Sequence, residues 1–269
     1  MSRRTIALCA AVIAMFAAAL APTAASAWAP ASTATVHPGV QTVTAGGQCT
    51  SNFVFQDASN VYIGQAAHCS STGAQTDTDG CSSGSLPVGT PVEIDGASRP
   101  GTMVYNSWLT MQARGETNPD TCAYNDLALV KLDPADYGKV NPSIPFWGGP
   151  TGITDTVAQG EKVLSYGNSS LRLGITQLSP KEGLSLGQTG NGWSHEVYTV
   201  SPGIPGDSGS AFINRDGKAF GVLSTLQIAP KVGANGVGDL SRELAYANAN
   251  GAGVTLANGT EAFRGPLLP

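Results

Sequence analysis

Charged side chains are scarce in this chain: Asp, Glu, Lys and Arg make up 12% of 269 residues, where roughly 25% is usual. Only 14 are basic, against 19 acidic. An acidic, lysine-poor surface argues against nucleic acid or anionic lipid as the partner. Histidine occurs three times, as His37, His68 and His195, and no two cysteines have C-x-x-C spacing. That leaves no zinc-ligand pattern, and neither a metal nor another cofactor is expected. No long apolar run follows about Leu20, so no membrane span is expected beyond that point. Glycine, by contrast, is plentiful at 34 residues, nearly twice the usual share of roughly 7%. A compact all-β chain with many tight turns has this composition.

The first residues have the form of a secretory leader. Arg3 and Arg4 precede an apolar stretch from Ile6 to about Leu20, and Ala25-Ser26-Ala27 is a small-x-small cleavage site. The paired arginines hint at twin-arginine export. Cleavage after Ala27 would take 27 residues from 269 and leave 242, with 12 basic and 19 acidic residues and a net charge near −7. Cys9 would leave with the leader. Cys49, Cys69, Cys81 and Cys122 remain, an even set that reads as two disulfides in an oxidising compartment, with three pairings open. The expected product is exported, soluble and monomeric.

Short runs of β-branched and aromatic residues recur between turn signals: FVF at 53–55, VYIG, PVEI, TMVY, LALVKL, KVLSYG, HEVYTV, SAFI and AFGVLST. Regular short strands of this kind predict barrels or sandwiches. AFINRDGKAFGVL reads as one hairpin turning at Asp216-Gly217, and Leu240–Asn250 as the one helix. The stretch Asp133–Gly152 holds four prolines and four glycines without strand periodicity. It divides the chain into a leader (1–27), a first half (28–140) and a second half (141–269).

Candidate chemistry begins at PGIPGDSGSAF, residues 202–212, where Gly206 and Gly209 bracket Asp207 and Ser208. A serine becomes a nucleophile when an imidazole takes its proton and a buried carboxylate orients that imidazole. His68 ends the strand-like YIGQAAHCS beside a cysteine that would fix its backbone. Asp126 stands directly before LALV, at the entrance of a buried strand, where an acid needs a partner. His37 lies in a polar segment near the mature start, and Trp193 and His195 read as a packed tryptophan and a structural histidine. TDTDG at 76–80 reads as an acidic turn without the remaining ligands of a calcium loop. NSS at Asn168 and NGT at Asn258 match glycosylation sequons.

AAHC, NDLALVKL and GDSGS, in that order, resemble the three signature blocks of the chymotrypsin-like serine peptidases, over roughly Gly46 to Gly259. The resemblance implies two six-stranded antiparallel β-barrels with the active site in the cleft between them. It implies a secreted endopeptidase acting on peptide or protein substrates through His68, Asp126 and Ser208, with the N–H groups of Gly206 and Ser208 as oxyanion hole. It also implies a Cys49–Cys69 disulfide, and with it Cys81–Cys122. Ser224 in GVLSTL would support the catalytic acid and bind extended substrate.

Departures from the family pattern bear on specificity. Pro202 stands at the base of the primary pocket, no acid lies between Val197 and Gly206, and Ile204 replaces a cysteine that commonly braces the pocket. Leu226 stands where glycine often opens the pocket wall. A narrow or apolar pocket for small or aliphatic side chains is expected, not one for Arg or Lys; Asp239 is a residue that could fold back into it. The mature start offers no Ile-type terminus to pair with Asp207, so an internal base is expected there, and Arg172 is the candidate. Two other readings compete: a non-catalytic domain that binds a partner through the cleft, and an esterase-like serine hydrolase.

Overall fold

A computed structural model describes residues 28–74, 76–227 and 231–267; the leader expected at 1–27 lies outside them. Fourteen strands are present among these residues. In chain order they are β1 (Gln41–Thr44), β2 (Gly47–Thr50), β3 (Val54–Gln56), β4 (Val61–Ala66), β5 (Pro91–Ile94), β6 (Gly101–Asn106) and β7 (Leu127–Lys131). The second series is β8 (Lys162–Tyr166), β9 (Pro180–Thr189), β10 (Ser194–Thr199), β11 (Ala211–Asn214), β12 (Ala219–Leu226), β13 (Asn235–Asp239) and β14 (Thr255–Leu256). Three helices accompany them: α1 (Ser107–Arg114), α2 (Pro119–Tyr124) and α3 (Leu240–Ala249). No helix of the described residues is long and apolar enough to cross a membrane.

The strands form two antiparallel units, as expected. The second is a closed six-stranded barrel, β10-β13-β12-β11-β8-β9. The first is an eight-stranded sheet, β14-β3-β4-β7-β6-β5-β1-β2, and differs from the expected six strands. One reason is β14, which follows α3 and returns to pair with β3 of the first unit, Leu256 opposite Phe55. The expected hairpin of β11 and β12 is present, with Gly217 at φ +75° in its turn.

Alternation along the strands sorts the apolar residues into three cores. On β7, Ala128 and Val130 join Val54, Ile63 and Met103 inside the first unit, while Leu127 and Leu129 face a shared cluster with Leu164, Ile213 and Val222 of the second. Phe212, Phe220 and Val237 fill the barrel. A strand buried on both faces reads as a continuous apolar run, which is why LALV stood out in the sequence.

Helix α1 starts at Asn106, whose side chain accepts from the Trp108 and Leu109 N–H groups, and stops at Gly115 with φ +64°. Asn118 caps α2 in the same way, with Pro119 in its first turn. Both disulfides join the expected partners, Cys49 to Cys69 and Cys81 to Cys122.

Candidate active site

The antiparallel pairing of β4 with β7 brings His68 and Asp126 together. Ala66 lies opposite Leu127, and one step further the Ala67 N–H donates to the Asp126 carbonyl at 2.8 Å. The chain then turns through a short 3-10 segment, Ala67–Ser70, which carries His68 and is tied to β2 by the Cys49–Cys69 bridge. His68 Nδ1 is 2.6 Å from Asp126 Oδ2, and the His68 backbone N–H donates to Oδ1 at 2.9 Å. Ser224 Oγ, on β12, donates to the same Oδ2 at 2.6 Å. Asp126 is 3% exposed, so these donors replace the water it has lost. Burial alone would depress the His68 pKa, but the charge and hydrogen bond of Asp126 overcome it and hold the ring above its ordinary value.

Ser208 sits on the loop that leads into β11. The Thr50 N–H donates to the Ser208 carbonyl at 2.8 Å, and the Gly209 N–H to the Leu223 carbonyl at 2.7 Å. Thr50 adjoins Cys49, the disulfide partner of Cys69, and Leu223 adjoins Ser224. The loop is thus pinned between the elements that carry His68 and Ser224. Gly209 has φ +89°, and a Cβ there would lie 2.5 Å from the Thr50 carbonyl oxygen and 2.9 Å from the Ala66 nitrogen. Only glycine fits. Gly206, at φ +93°, holds a conformation that favours glycine, and a Cβ there would displace the Gln48 and Ser169 side chains that lie against it. Its carbonyl accepts from Gln48 Nε2 at 2.9 Å and Thr50 Oγ1 at 2.8 Å, which fixes the orientation of the peptide beside Ser208.

Asp207 is fully buried and anchors this loop. Arg172 Nη2 donates to its Oδ2 at 2.7 Å, and Lys181 Nζ lies 3.1 Å from the same atom. Ser169 N–H donates to Oδ1 at 2.9 Å. Arg172 is the cation expected from the sequence; Lys181, also fully buried, was missed because PKEG carries no signal of burial. Burial lowers the Lys181 pKa, opposed by Asp207 and reinforced by Arg172. Both cations also reach the Pro202 carbonyl, at 2.9 and 3.5 Å. Pro202 is therefore part of the anchor as well as of the expected pocket.

The other expected pocket residues are spread along one edge. Ser224 borders a cavity of about 260 Å³ with Tyr124, Thr225, Gln227, Gly236 and Glu196, while Leu226 is 41% exposed. Asn235, which the sequence did not single out, is buried and bridges two backbone segments. Its Oδ1 accepts from the Gly203 N–H at 2.8 Å, and its Nδ2 donates to the Gly203 and Thr225 carbonyls at 3.1 Å. Asp239 does not turn toward that edge; it accepts from the N–H of Arg242 at the start of α3 and lies 2.8 Å from His195 Nε2. His195 is fully buried against Phe220, and Trp193 lies under the Arg242 guanidinium. In the TDTDG turn, Asp79 accepts from the Cys81 N–H and Asp77 from the Ala74 N–H. Asn168 Nδ2 donates to the Gly39 carbonyl at 3.0 Å.

A larger cavity, about 730 Å³ and mainly apolar, lies elsewhere, lined by Phe146, Trp147, Tyr166, Leu178, Val200 and Leu267 among others. It touches none of His68, Asp126 and Ser208.

No protein-family model matches the chain, and no curated protein sequence does. Solved structures do. Thermobifida fusca protease A superposes with a TM-score of 0.55 at 18% identity, over 83% of this chain and 99% of that one. A glutamic acid specific serine protease, described as using a histidine triad in substrate binding, gives 0.53 at 16% identity over 82% of this chain and 100% of its own. Nocardiopsis protease gives 0.51 at 18% over 82% and 98%. At these identities the likeness is one of fold.

Proposed function

We propose that this chain, whose chymotrypsin-like fold is shared with bacterial serine proteases, is an exported serine endopeptidase. The observation that carries the reading is the line Ser224–Asp126–His68: a buried carboxylate bound to an imidazole at 2.6 Å, beside the pinned loop of Ser208. In this reading His68 takes the Ser208 proton as Oγ attacks the peptide carbonyl, and returns it to the leaving amine. Asp126 fixes the tautomer and balances the imidazolium. The N–H groups of Gly206 and Ser208 receive the oxyanion. Water then cleaves the acyl-enzyme by the same proton route. The two disulfides support export to an oxidising compartment.

Small uncharged side chains at the cleavage position fit best, because Asn235 ties Gly203 to Thr225 across the expected pocket. The glutamate preference of one structural neighbour gains no support from histidine here. His195 is fully buried and bound to Asp239, and His68 is bound to Asp126.

Labelling by a fluorophosphonate probe tests the reading. Wild-type protein should label, Ser208→Ala should not, and His68→Ala should label far more slowly. A folded, disulfide-intact wild type that resists the probe would overturn it in favour of a binding domain. Turnover of esters with no cleavage of any peptide in a library would favour an esterase.

A further inference from the structure

Three carboxyl groups are buried near one another where the two units meet: Asp126, Asp239 and Glu243, none more than 3% exposed. Two of them have basic partners. Asp126 holds His68, and Asp239 holds His195. Glu243, in the first turn of α3, has none among the described residues. Its Oε1 accepts the backbone N–H of Asp126 at 2.8 Å, and its Oε2 is buried without a hydrogen-bond partner. Gly238 makes room for it, since a Cβ there would strike Oε1.

The groups that face Glu243 are acids or neutral hydroxyls. Asp126 approaches from the entrance of β7 and Asp239 from the end of β13. Tyr105, on β6, is buried, and its hydroxyl pKa is raised first by that burial and then by Glu243 and Tyr246. The nearest bases, His68 and His195, are already engaged by the two aspartates. Arg242, its neighbour on α3, stacks on Trp193. Burial, then the charges of Asp126 and Asp239, raise the Glu243 pKa well above that of an ordinary carboxylate, against the hydrogen bond from Asp126.

We propose that Glu243 is a positioning residue which, as a neutral carboxylic acid, holds the Asp126 backbone from the second unit, and whose loss of a proton to solvent disables the site at alkaline pH. The neutral form offers its carbonyl oxygen to the Asp126 N–H without adding charge. The ionised form adds a third anion to Asp126 and Asp239, and their mutual repulsion displaces the Asp126 carboxylate from the position in which it orients His68. This rests on the proposed hydrolytic reading of His68, Asp126 and Ser208.

Two variants separate the parts of the proposal. Glu243→Gln keeps an acceptor oxygen and cannot ionise, whereas Glu243→Leu leaves the buried Asp126 N–H unpaired. The readouts are the fluorophosphonate labelling rate from about pH 5 to about pH 10, the thermal midpoint over the same range, and the low-field proton resonance of His68 Nδ1. Wild type should lose labelling rate at the alkaline end while Glu243→Gln keeps it. Glu243→Leu should be slower throughout by about ten-fold to a hundred-fold and should lose the low-field resonance. The folded chain keeps a proton on Glu243 that the unfolded chain has released. Wild-type stability should therefore fall relative to Glu243→Gln as pH rises from the ordinary carboxylate range through the raised folded value.

Identical alkaline limbs in wild type and Glu243→Gln, or parallel midpoint curves, would overturn the proposal. If Glu243→Leu does not fold, the Gln comparison alone decides. A wild type that never labels would sink the hydrolytic reading, while the midpoint curves and the His68 resonance would still judge Glu243.

Discussion

Three donors converge on the Asp126 carboxylate: the His68 N–H, the His68 ring and the Ser224 hydroxyl. Asn at this position would replace one acceptor oxygen with an NH₂ group and favour the tautomer that leaves Nε2 protonated, unable to accept from Ser208. Asp126→Asn should therefore lower turnover of a peptide ester by about 10⁴-fold with the fold retained, as a kcat measurement beside a circular dichroism spectrum will show. The raised pKa of His68 sets the other limit on rate. Turnover should climb as pH rises through a value above 6.5, and a titration of the His68 ring by NMR in Ser208→Ala should follow the same curve. The matching stability contribution is complete below the unfolded value and is lost as pH rises through the folded one. His68, Asp126 and Ser208 were legible in the sequence because each stands at a sharp break between an apolar strand and a polar or glycine-rich turn. Lys181, Gln48 and Glu243 were not. Their roles come from partners 26, 158 and 117 residues away, and nothing in their local sequence distinguishes them from solvated polar residues.

At the scale of elements, the strands read from sequence were those rich in valine, isoleucine, phenylalanine and leucine. Five were not read, β1, β2, β9, β13 and β14; of these, β9 (PKEGLSLGQT) and β13 (NGVGD) draw their pairing from both neighbours in a closed barrel, which compensates for weak β propensity. Helices α1 and α2 carried their signals openly, an Asn cap on each, a Gly stop on the first and a Pro start on the second. Their short length and the surrounding strands obscured them. The Cys81–Cys122 bridge fastens α2 to the loop before β5, and the Gly80 N–H donates to the Cys122 carbonyl at 2.8 Å. Gln112 of α1 adds bonds to the Gly80 and Ser83 carbonyls at 2.8 Å. The bridge closes a segment with a sequence separation of 41, for which the chain-entropy model gives about 4 kcal/mol. Cys81→Ala with Cys122→Ala should lower unfolding free energy in urea by about 2–4 kcal/mol and leave the His68 low-field resonance in place, since His68 and Asp126 are held by other contacts.

The whole molecule is joined by the course of its last residues, which the sequence reading left within the second half. After α3 the chain pairs with β3 through β14, and then runs back over the connection between the two units. The Ala257 N–H donates to the Val54 carbonyl, Gly259 to Pro150, and Arg264 to Trp147, at 2.8–2.9 Å. At the centre of this strap Ser143 Oγ accepts the N–H groups of both Thr260 and Glu261 at 2.9 Å. Asn141 reinforces it with bonds to the Ala29 carbonyl and Thr260 Oγ1. No run of strand formers marks such a segment, because its bonds go to a loop. The hydroxyl of Ser143, which is 4% exposed, serves two backbone donors at once, so Ser143→Ala should cost about 2 kcal/mol. The size of that loss measures the local contacts; its distribution measures the coupling. Trp108 lies in the core of the first unit, and Trp193 stands immediately before β10 in the second. If the strap makes the two units one cooperative body, fluorescence from single-tryptophan variants retaining one or the other should report the same shifted urea midpoint. A shift seen at one tryptophan and not the other would mean that the strap stabilises a single unit, and that the apolar cluster shared by Leu127, Leu129, Leu164 and Ile213 does not by itself make the two unfold together.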